Sequence, residues 1–290
     1  MALKQAFPES KITWAVDPRF AGIIECCSSV DEIQRVKTGF KPASWPSFDT
    51  KFELALDMQG LSKSGLVVAR AKADKKLGYH WQRELAPLFS AAVMPDASSL
   101  HVVDQYVDVA RAAGAECDRA EFGMAPLEED RDKCKSLLAE HGVEGPFVVM
   151  NAGAGWASKR WPSLHFSRLS DMISAKGISP VFIGGKAEGD QQAFREVEQE
   201  AKSGVVNLLG KTSVRELVSL ISLANAHVGG DTGSSHVAAA LGVPAVGLYS
   251  ITKPVRSCPY GQIHRCHYAE RKLGDIEPET VFRTVWEAVS

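Results

Sequence analysis

A chain of 290 residues is long enough for one large domain or two ordinary ones, and two is the better expectation. Hydrophobic residues make up 45% and charged residues 23%, with a formal net charge of -2, so nothing in the charge balance favours a nucleic-acid partner. No apolar run approaches the roughly 20 residues that span a bilayer, and the opening MALKQAFPESK lacks a signal-peptide core, which points to the cytoplasm.

In the first half, ITWAV (12–16), FELALDM (52–58), KKLGYH (75–80) and AAVMPD (91–96) read as strands, and SLHVVDQYVDVARAAG (99–114) reads as a glycine-closed helix. Charged, Gly- and Pro-containing sequence fills 122–146, and the domain boundary is expected inside it, dividing the chain into residues 1–140 and 141–290. Beyond it PFVVMNAG (146–153), SPVFIGG (179–185), GVVNLLG (204–210), AHVGGD (226–231) and PAVGLYS (244–250) are strand candidates separated by helices. Ser163 is placed to cap a helix that ends near Gly177, and Ser213 with Glu216 forms a capping box before ELVSLISLA. The alternation is that of an α/β protein with Rossmann-like parallel sheets. No GxGxxG follows any strand, which disfavours a nicotinamide or flavin dehydrogenase.

Six cysteines (Cys26, Cys27, Cys117, Cys134, Cys258, Cys266) are scattered without CxxC spacing, as expected of reduced thiols. His264, Cys266 and His267 could grip a metal, but alternating strand positions explain their spacing equally well, and no metal or cofactor is expected.

The densest cluster of reactive residue types is GGDTGSSHVAAALGVP, at 229–244. AHVGGD reads as a buried strand and SSHVAAALG as the helix after it, so the cluster sits at a strand's carboxyl end, where open α/β sheets bind ligands. A helix start has backbone N–H groups without internal partners and partial positive charge. Gly233, Ser234 and Ser235 could therefore offer amides and hydroxyls to a phosphate, with His236 as a further donor. Alternatively Asp231 and Thr232 only cap a structural helix and His236 packs or faces solvent. A Ser-His-Asp triad is disfavoured because Ser235 and His236, adjacent on a helix, face different directions.

Together ALDMQGLSKSGLVVARA (55–71), LHVVDQYVDVARAAG (100–114), MNAGAGWASKRWP (150–162), FIGGKAEGD (182–190), LLGKTSVRELVSLI (208–221) and VGGDTGSSHVAAALGVPAVGLYS (228–250) resemble the ADP-heptose:lipopolysaccharide heptosyltransferases, family 9 of the glycosyltransferases. The resemblance implies an inverting enzyme of GT-B architecture, in which two Rossmann-like domains present parallel sheets to a central cleft. It implies an acceptor-side first domain, a second domain that binds the nucleotide sugar without a cofactor, and transfer of heptose from ADP-heptose to a lipopolysaccharide-core or related lipid-linked saccharide. The positions matching the family's donor site are Lys159, Glu188, Thr212, Asp231, Thr232, Gly233, Ser234, Ser235 and His236. A lysine suits the diphosphate as a mobile point charge, and a carboxylate such as Glu188 suits ribose hydroxyls. Lys63, Ser64 and His101 match acceptor-side positions, although His101 equally suits a helix cap. The basic cluster that family members direct at a phosphorylated acceptor is sparser here, with Arg35, Lys37 and Lys41. Any membrane contact should be peripheral, because no basic amphipathic helix stands out.

The family's chain opens with a buried strand and a loop whose aspartate is the general base. ALKQAFPESKITWAV instead resembles the end of the first helix and the second strand, so the first domain is expected to be incomplete. A rearranged domain, a substituting segment, or a start assigned downstream of the natural one would each account for this, and the last is the favoured expectation. Asp17 and Asp57 lie at strand ends, but either could merely brace a turn, and no base is assigned. The rival expectations are a nucleotide-sugar-binding protein without transferase activity and a nucleotide-sugar epimerase.

Overall fold

The computed structural model describes residues 1–37, 46–153 and 160–290. The chain forms two compact units, Met1–Gly123 and Met124–Ser290. The division falls before the position near residue 140 expected from sequence, because the charged stretch after Gly123 contains a helix, α5 (Glu128–Glu140), that packs with the second unit.

In the first unit, α1 (Ala2–Ala6) precedes β1 (Thr13–Val16), α2 (Ala21–Glu25) and β2 (Glu32–Arg35). β3 (Phe52–Asp57), α3 (Ser62–Arg70), β4 (Ala73–Tyr79), β5 (Ala91–Val93) and α4 (Val102–Ala112) follow. All pairings are parallel, but the described strands fall into two sheets, β1-β2 and β3-β4-β5. A doubly wound sheet runs 3-2-1-4-5-6. Leu54, Ala55 and Leu56 of β3 are only half-buried, whereas the central strands of the second unit are buried almost throughout.

The second unit has the full order. β6 (Phe147–Asn151), α6 (Ser163–Ser174), β7 (Ser179–Phe182), α7 (Glu188–Glu200) and β8 (Val206–Asn207) build one half. α8 (Val214–Leu223), β9 (Ala226–Gly229), α9 (Gly233–Ala240), β10 (Ala245–Tyr249), α10 (Pro254–Ser257), β11 (Cys266–Tyr268) and α11 (Pro278–Val289) build the other. The parallel strands run β11-β10-β9-β6-β7-β8, with the reversal between β6 and β9. One core joins Val148, Met150, Val228 and Val246 of the sheet to Phe166, Leu169, Ile173, Phe194 and Val281 of the helices. Edge-on aromatic contacts link Trp161, Phe166, Phe182 and Phe194 across it.

Local signals act as the sequence predicts at most ends. Ser213 Oγ accepts from the Glu216 N–H at 3.2 Å while Glu216 Oε2 accepts from the Ser213 N–H at 2.7 Å, closing the capping box of α8. Gly177 and Gly242, each with φ of 74°, end α6 and α9 in the left-handed region. Ser163 departs from expectation. It is the first helical residue, after Pro162, and its hydroxyl donates to Glu196 Oε2 at 2.8 Å instead of capping. No helix among the described residues is long and apolar enough to cross a membrane.

Candidate functional site

The switch point of the second unit places the carboxyl ends of β6 and β9 side by side, where the sheet order opens a crevice. β9 is AHVG, and a break of three residues leads into α9 at Gly233. Thr232 is the N-cap residue but makes no side-chain cap bond, so the amides of Gly233 and Ser234 have no partner within the helix. A Cβ built on Gly233 would meet no atom of the described residues within 4 Å, so the first helical residue borders open space among them. This arrangement can receive an anionic oxygen on backbone N–H groups.

The two serines turn the other way. Ser235 is fully buried, and its Oγ donates to the Gly230 carbonyl at 2.7 Å while its N–H bonds the Thr232 carbonyl at 3.2 Å. Its expected part as a phosphate ligand is corrected on that ground: both of its donors are spent inside the turn. Ser234 is 6% exposed, and its Oγ lies 2.9 Å from His227 Nε2, 3.0 Å from Thr232 Oγ1 and 3.0 Å from Asn151 Nδ2. Its hydroxyl is therefore interior, and only its amide lies at the helix start. His236 Nε2 sits 3.4 Å from Asp231 Oδ1, so these half-exposed groups pair with each other, and Ser235 has no hydrogen bond to His236 of the kind a triad needs.

Asn151, not singled out from sequence, closes the crevice from the β6 side. Its Oδ1 accepts from the Gly153 N–H at 3.0 Å while Nδ2 donates to Ser234 Oγ at 3.0 Å and approaches Thr232 Oγ1 at 3.5 Å. Asp190 is a second such residue. Its Oδ2 accepts from the Gly185 N–H at 2.9 Å, and a Cβ on Gly153 would come within 2.5 Å of Oδ1, so it ties the loops after β6 and β7 together. The signal for Asn151 was a polar residue ending a strand just before glycine, in MNAG, and for Asp190 a carboxylate in the first turn of the helix that follows a glycine corner, in GGKAEGD.

Glu188 begins α7 with its side chain 82% exposed and paired to Arg195. Thr212 is half-buried in the loop before α8 and lines a groove of about 540 Å³ with Glu129, Lys133, Lys211 and Glu216. Lys159, like Lys41, lies outside the described residues.

In the first unit, Asp57 is buried and accepts from the N–H groups of Gln59 and Gly60 at 3.0 and 2.9 Å and from Ser64 Oγ at 3.0 Å. Ser64 Oγ also accepts from the Leu61 N–H at 3.0 Å, so the QGLSKSG turn is held from within and Ser64 serves it, while Lys63 is exposed. His101 is buried and caps α4, its Nδ1 accepting from the Val103 N–H at 3.2 Å. Asp17 caps the short 3-10 turn Pro18–Phe20, and its hydrogen bond from the Arg19 guanidinium holds its carboxyl down at about 2. Asp17 and Asp57 are both committed to turns. His267 Nε2 meets Thr284 Oγ1 at 3.0 Å, and no cluster of metal-ligating side chains occurs among the described residues.

Parallel α/β structure in both units, with an anion-receptive helix start at the second unit's switch point, matches the GT-B class of glycosyltransferases. The glycosyl transferase family 9 structure from Veillonella parvula superposes with a TM-score of 0.85 at 20% identity, covering 99% of this chain and 90% of its own. The E. coli heptosyltransferase WaaC with ADP gives a TM-score of 0.77 at 23% identity, covering 99% and 93%. The family model for glycosyltransferase family 9 (heptosyltransferase) matches residues 48–281, and the chain belongs to that family. Among curated relatives, the lipopolysaccharide core heptosyltransferase OpsX of Haemophilus influenzae is 23% identical over 270 residues, 90% of this chain and 76% of the relative. The chain is thus a glycosyltransferase by family, and neither a transfer-incompetent binding protein nor an epimerase is favoured.

Proposed function

We propose that this protein transfers heptose from ADP-heptose to a saccharide of the lipopolysaccharide core, with inversion at the anomeric carbon. The observation that carries the reading is the open α9 helix start at the switch point, in a chain whose family and relatives are heptosyltransferases. The donor's diphosphate would lie against the amides of Gly233 and Ser234 and the hydroxyl of Thr232, with Lys159 as a mobile counter-charge. As the glycosidic bond breaks, negative charge grows on the departing diphosphate, and fixed N–H dipoles that need no reorganisation stabilise it. Glu188 and Thr212 are assigned to the nucleoside end, with Asp231 and His236 as a pair at the rim. The first unit is the acceptor side, where Lys63 is an exposed cation within the QGLSKSG turn. Contact with a lipid-anchored acceptor would be peripheral to the membrane, on its cytoplasmic face.

Calorimetry with ADP, paired with a turnover assay using ADP-heptose and a lipopolysaccharide-core acceptor, tests the reading. Saturable ADP binding and a product of inverted anomeric configuration are expected. Binding without transfer, in this chain and in an N-terminally extended form, would overturn it.

A further inference from the structure

The residue beneath the helix start is a histidine in the middle of the sheet. His227 of β9 is completely buried, and burial pushes its imidazole down to about 3, so it carries one ring proton at neutral pH. Nε2 lies 2.9 Å from Ser234 Oγ, and Nδ1 is buried without a hydrogen-bond partner among the described residues. The position of that one proton decides the direction of the Ser234 hydroxyl, and with it whether Ser234 can take the hydrogen of Thr232.

Asn151 fixes one end of the accounting. Its Oδ1 is occupied by the Gly153 N–H, so Nδ2 faces Ser234 and must donate to Oγ at 3.0 Å. Ser235 fixes another, since its hydrogen goes to the Gly230 carbonyl at 2.7 Å. Two arrangements remain for the hydroxyl chain. With the proton on Nδ1, that buried N–H has no acceptor, Ser234 donates to Nε2, and Ser234 Oγ keeps a lone pair that can draw the Thr232 hydrogen inward across 3.0 Å. A Thr232 hydroxyl turned inward in this way shows only lone pairs to the crevice. With the proton on Nε2, Ser234 Oγ accepts from both His227 and Asn151, its two lone pairs are filled, and its own hydrogen goes to Thr232 Oγ1. The Thr232 hydrogen then has no acceptor in Ser234, and its remaining contact, the longer 3.3 Å one to Ser235 Oγ, is weak enough for an anionic oxygen to displace. The second arrangement leaves only a bare ring nitrogen unpaired, and orphaned buried N–H groups are the rarer defect. Aligned donors in a chain also reinforce one another.

We propose that His227 is a positioning residue which, as its Nε2–H tautomer, aligns the Ser234 and Thr232 hydroxyls so that Thr232 presents a proton to an anionic oxygen at the start of α9. The inference rests on the donor-site reading above and adds what polarises that site. A buried neutral imidazole thus gives a threonine hydroxyl a fixed sense, donor to an anion, without placing a charge in the sheet.

Two measurements test it. Long-range proton–nitrogen NMR of the ligand-free protein, with the His227 signals assigned by their loss in His227→Leu, reads the tautomer directly. A protonated Nε2 and a bare Nδ1 are expected, and a protonated Nδ1 overturns the proposal. Calorimetry then compares ADP with adenosine, which lacks the anion. His227→Leu should weaken ADP by about five-fold or more and leave adenosine unchanged, and His227→Gln, whose amide can donate to Ser234, should restore most of the loss. Unchanged ADP affinity in His227→Leu, or equal loss for both ligands, overturns the alignment role. Should the Leu variant not fold, the tautomer of the wild type, with its signals assigned through His227→Gln, still decides. A wild type that does not bind ADP would overturn the donor reading itself. Normal ADP binding with the wrong tautomer would overturn only the alignment.

Discussion

At the scale of single residues, the site separates groups that face a ligand from groups that hold the turn. Gly233 belongs to the first kind. Its Cβ position is open and its φ is not positive, so alanine there should fold normally and gain up to about 1 kcal/mol of helix stability. The added methyl group enters the space before the amides. Gly233→Ala should therefore raise the melting temperature slightly while weakening ADP, and equal ADP affinity in titrations of both proteins would count against a ligand at this helix start. His227 gives a pH signature. Its folded value of about 3 lies below the ordinary 6.5, so the unfolded chain binds the extra proton first as pH falls. No penalty exists above about 6.5, and stability then declines toward about 3 by at most roughly 1.4 kcal/mol per pH unit. The neighbouring His236 charge adds to the depression, and His267, also lowered by burial, contributes a loss of the same sign on the acid side. The stability of wild type relative to His227→Gln, read by denaturant unfolding, should therefore fall as pH goes from 7 to 5; a pH-independent difference would deny the histidine its buried, neutral state. The sequence made the DTGSSH helix start legible because strand, break and helix are local patterns. It could not show which hydroxyls turn inward, since Ser234 and Ser235 face the interior only because Asn151, His227 and the Gly230 carbonyl await them there.

At the scale of elements, the helix that sequence reading missed is as instructive as those it found. α5, EEDRDKCKSLLAE, buries Asp130, Cys134 and Leu138, a stripe at i, i+4 and i+8 in which only one member is a conventional apolar residue. Hydrophobic periodicity is blind to such a stripe. Its partners lie on α8: Arg215 Nη2 donates to Asp130 Oδ1 at 3.2 Å, and the Cys134 thiol, pushed up to about 11 by burial, donates to the Glu216 carbonyl at 3.2 Å. Asp130 is 1% exposed, so removing its charge leaves a partly buried guanidinium facing a neutral group. Asp130→Asn should cost on the order of 2–3 kcal/mol, below the usual range for a broken buried pair because Arg215 keeps 28% of its side chain in water and retains Glu129. Chemical denaturation of the two proteins measures this, and a loss under about 0.5 kcal/mol, the level of an ordinary surface change, would show that α5 docks by other means. The strands needed no such help. FELALD, FVVMN and AVGLY are continuous β-rich runs bounded by turn residues, whereas EIQR of β2 carries a single apolar residue and gives no signal.

At the scale of the molecule, the two units differ in how completely their sheets bury their own strands, and this should govern how each responds to heat and ligand. β6 and β9 each have a parallel neighbour on both sides and are buried along their length. β3 has one described neighbour, β4, and β1 has one, β2. Backbone groups without a ladder partner exchange readily, and local opening costs least where few apolar contacts must break. Amides of β3 should therefore exchange hydrogen for deuterium faster than those of β6 and β9. Ligand acts on the other unit. A nucleotide that binds the folded second unit at 100 times its dissociation constant adds about 2.7 kcal/mol of stability. For a domain of 150–250 residues each kcal/mol is worth about 2–4 °C, so ADP should raise that unit's unfolding by about 5–10 °C. Exchange-mass spectrometry during a thermal ramp can follow each unit through its own peptides. Protection should appear in peptides spanning β6, β9 and α9, with β3 unchanged. Protection confined to β3 and α3 would move the nucleotide to the first unit and reverse the assignment of donor and acceptor sides.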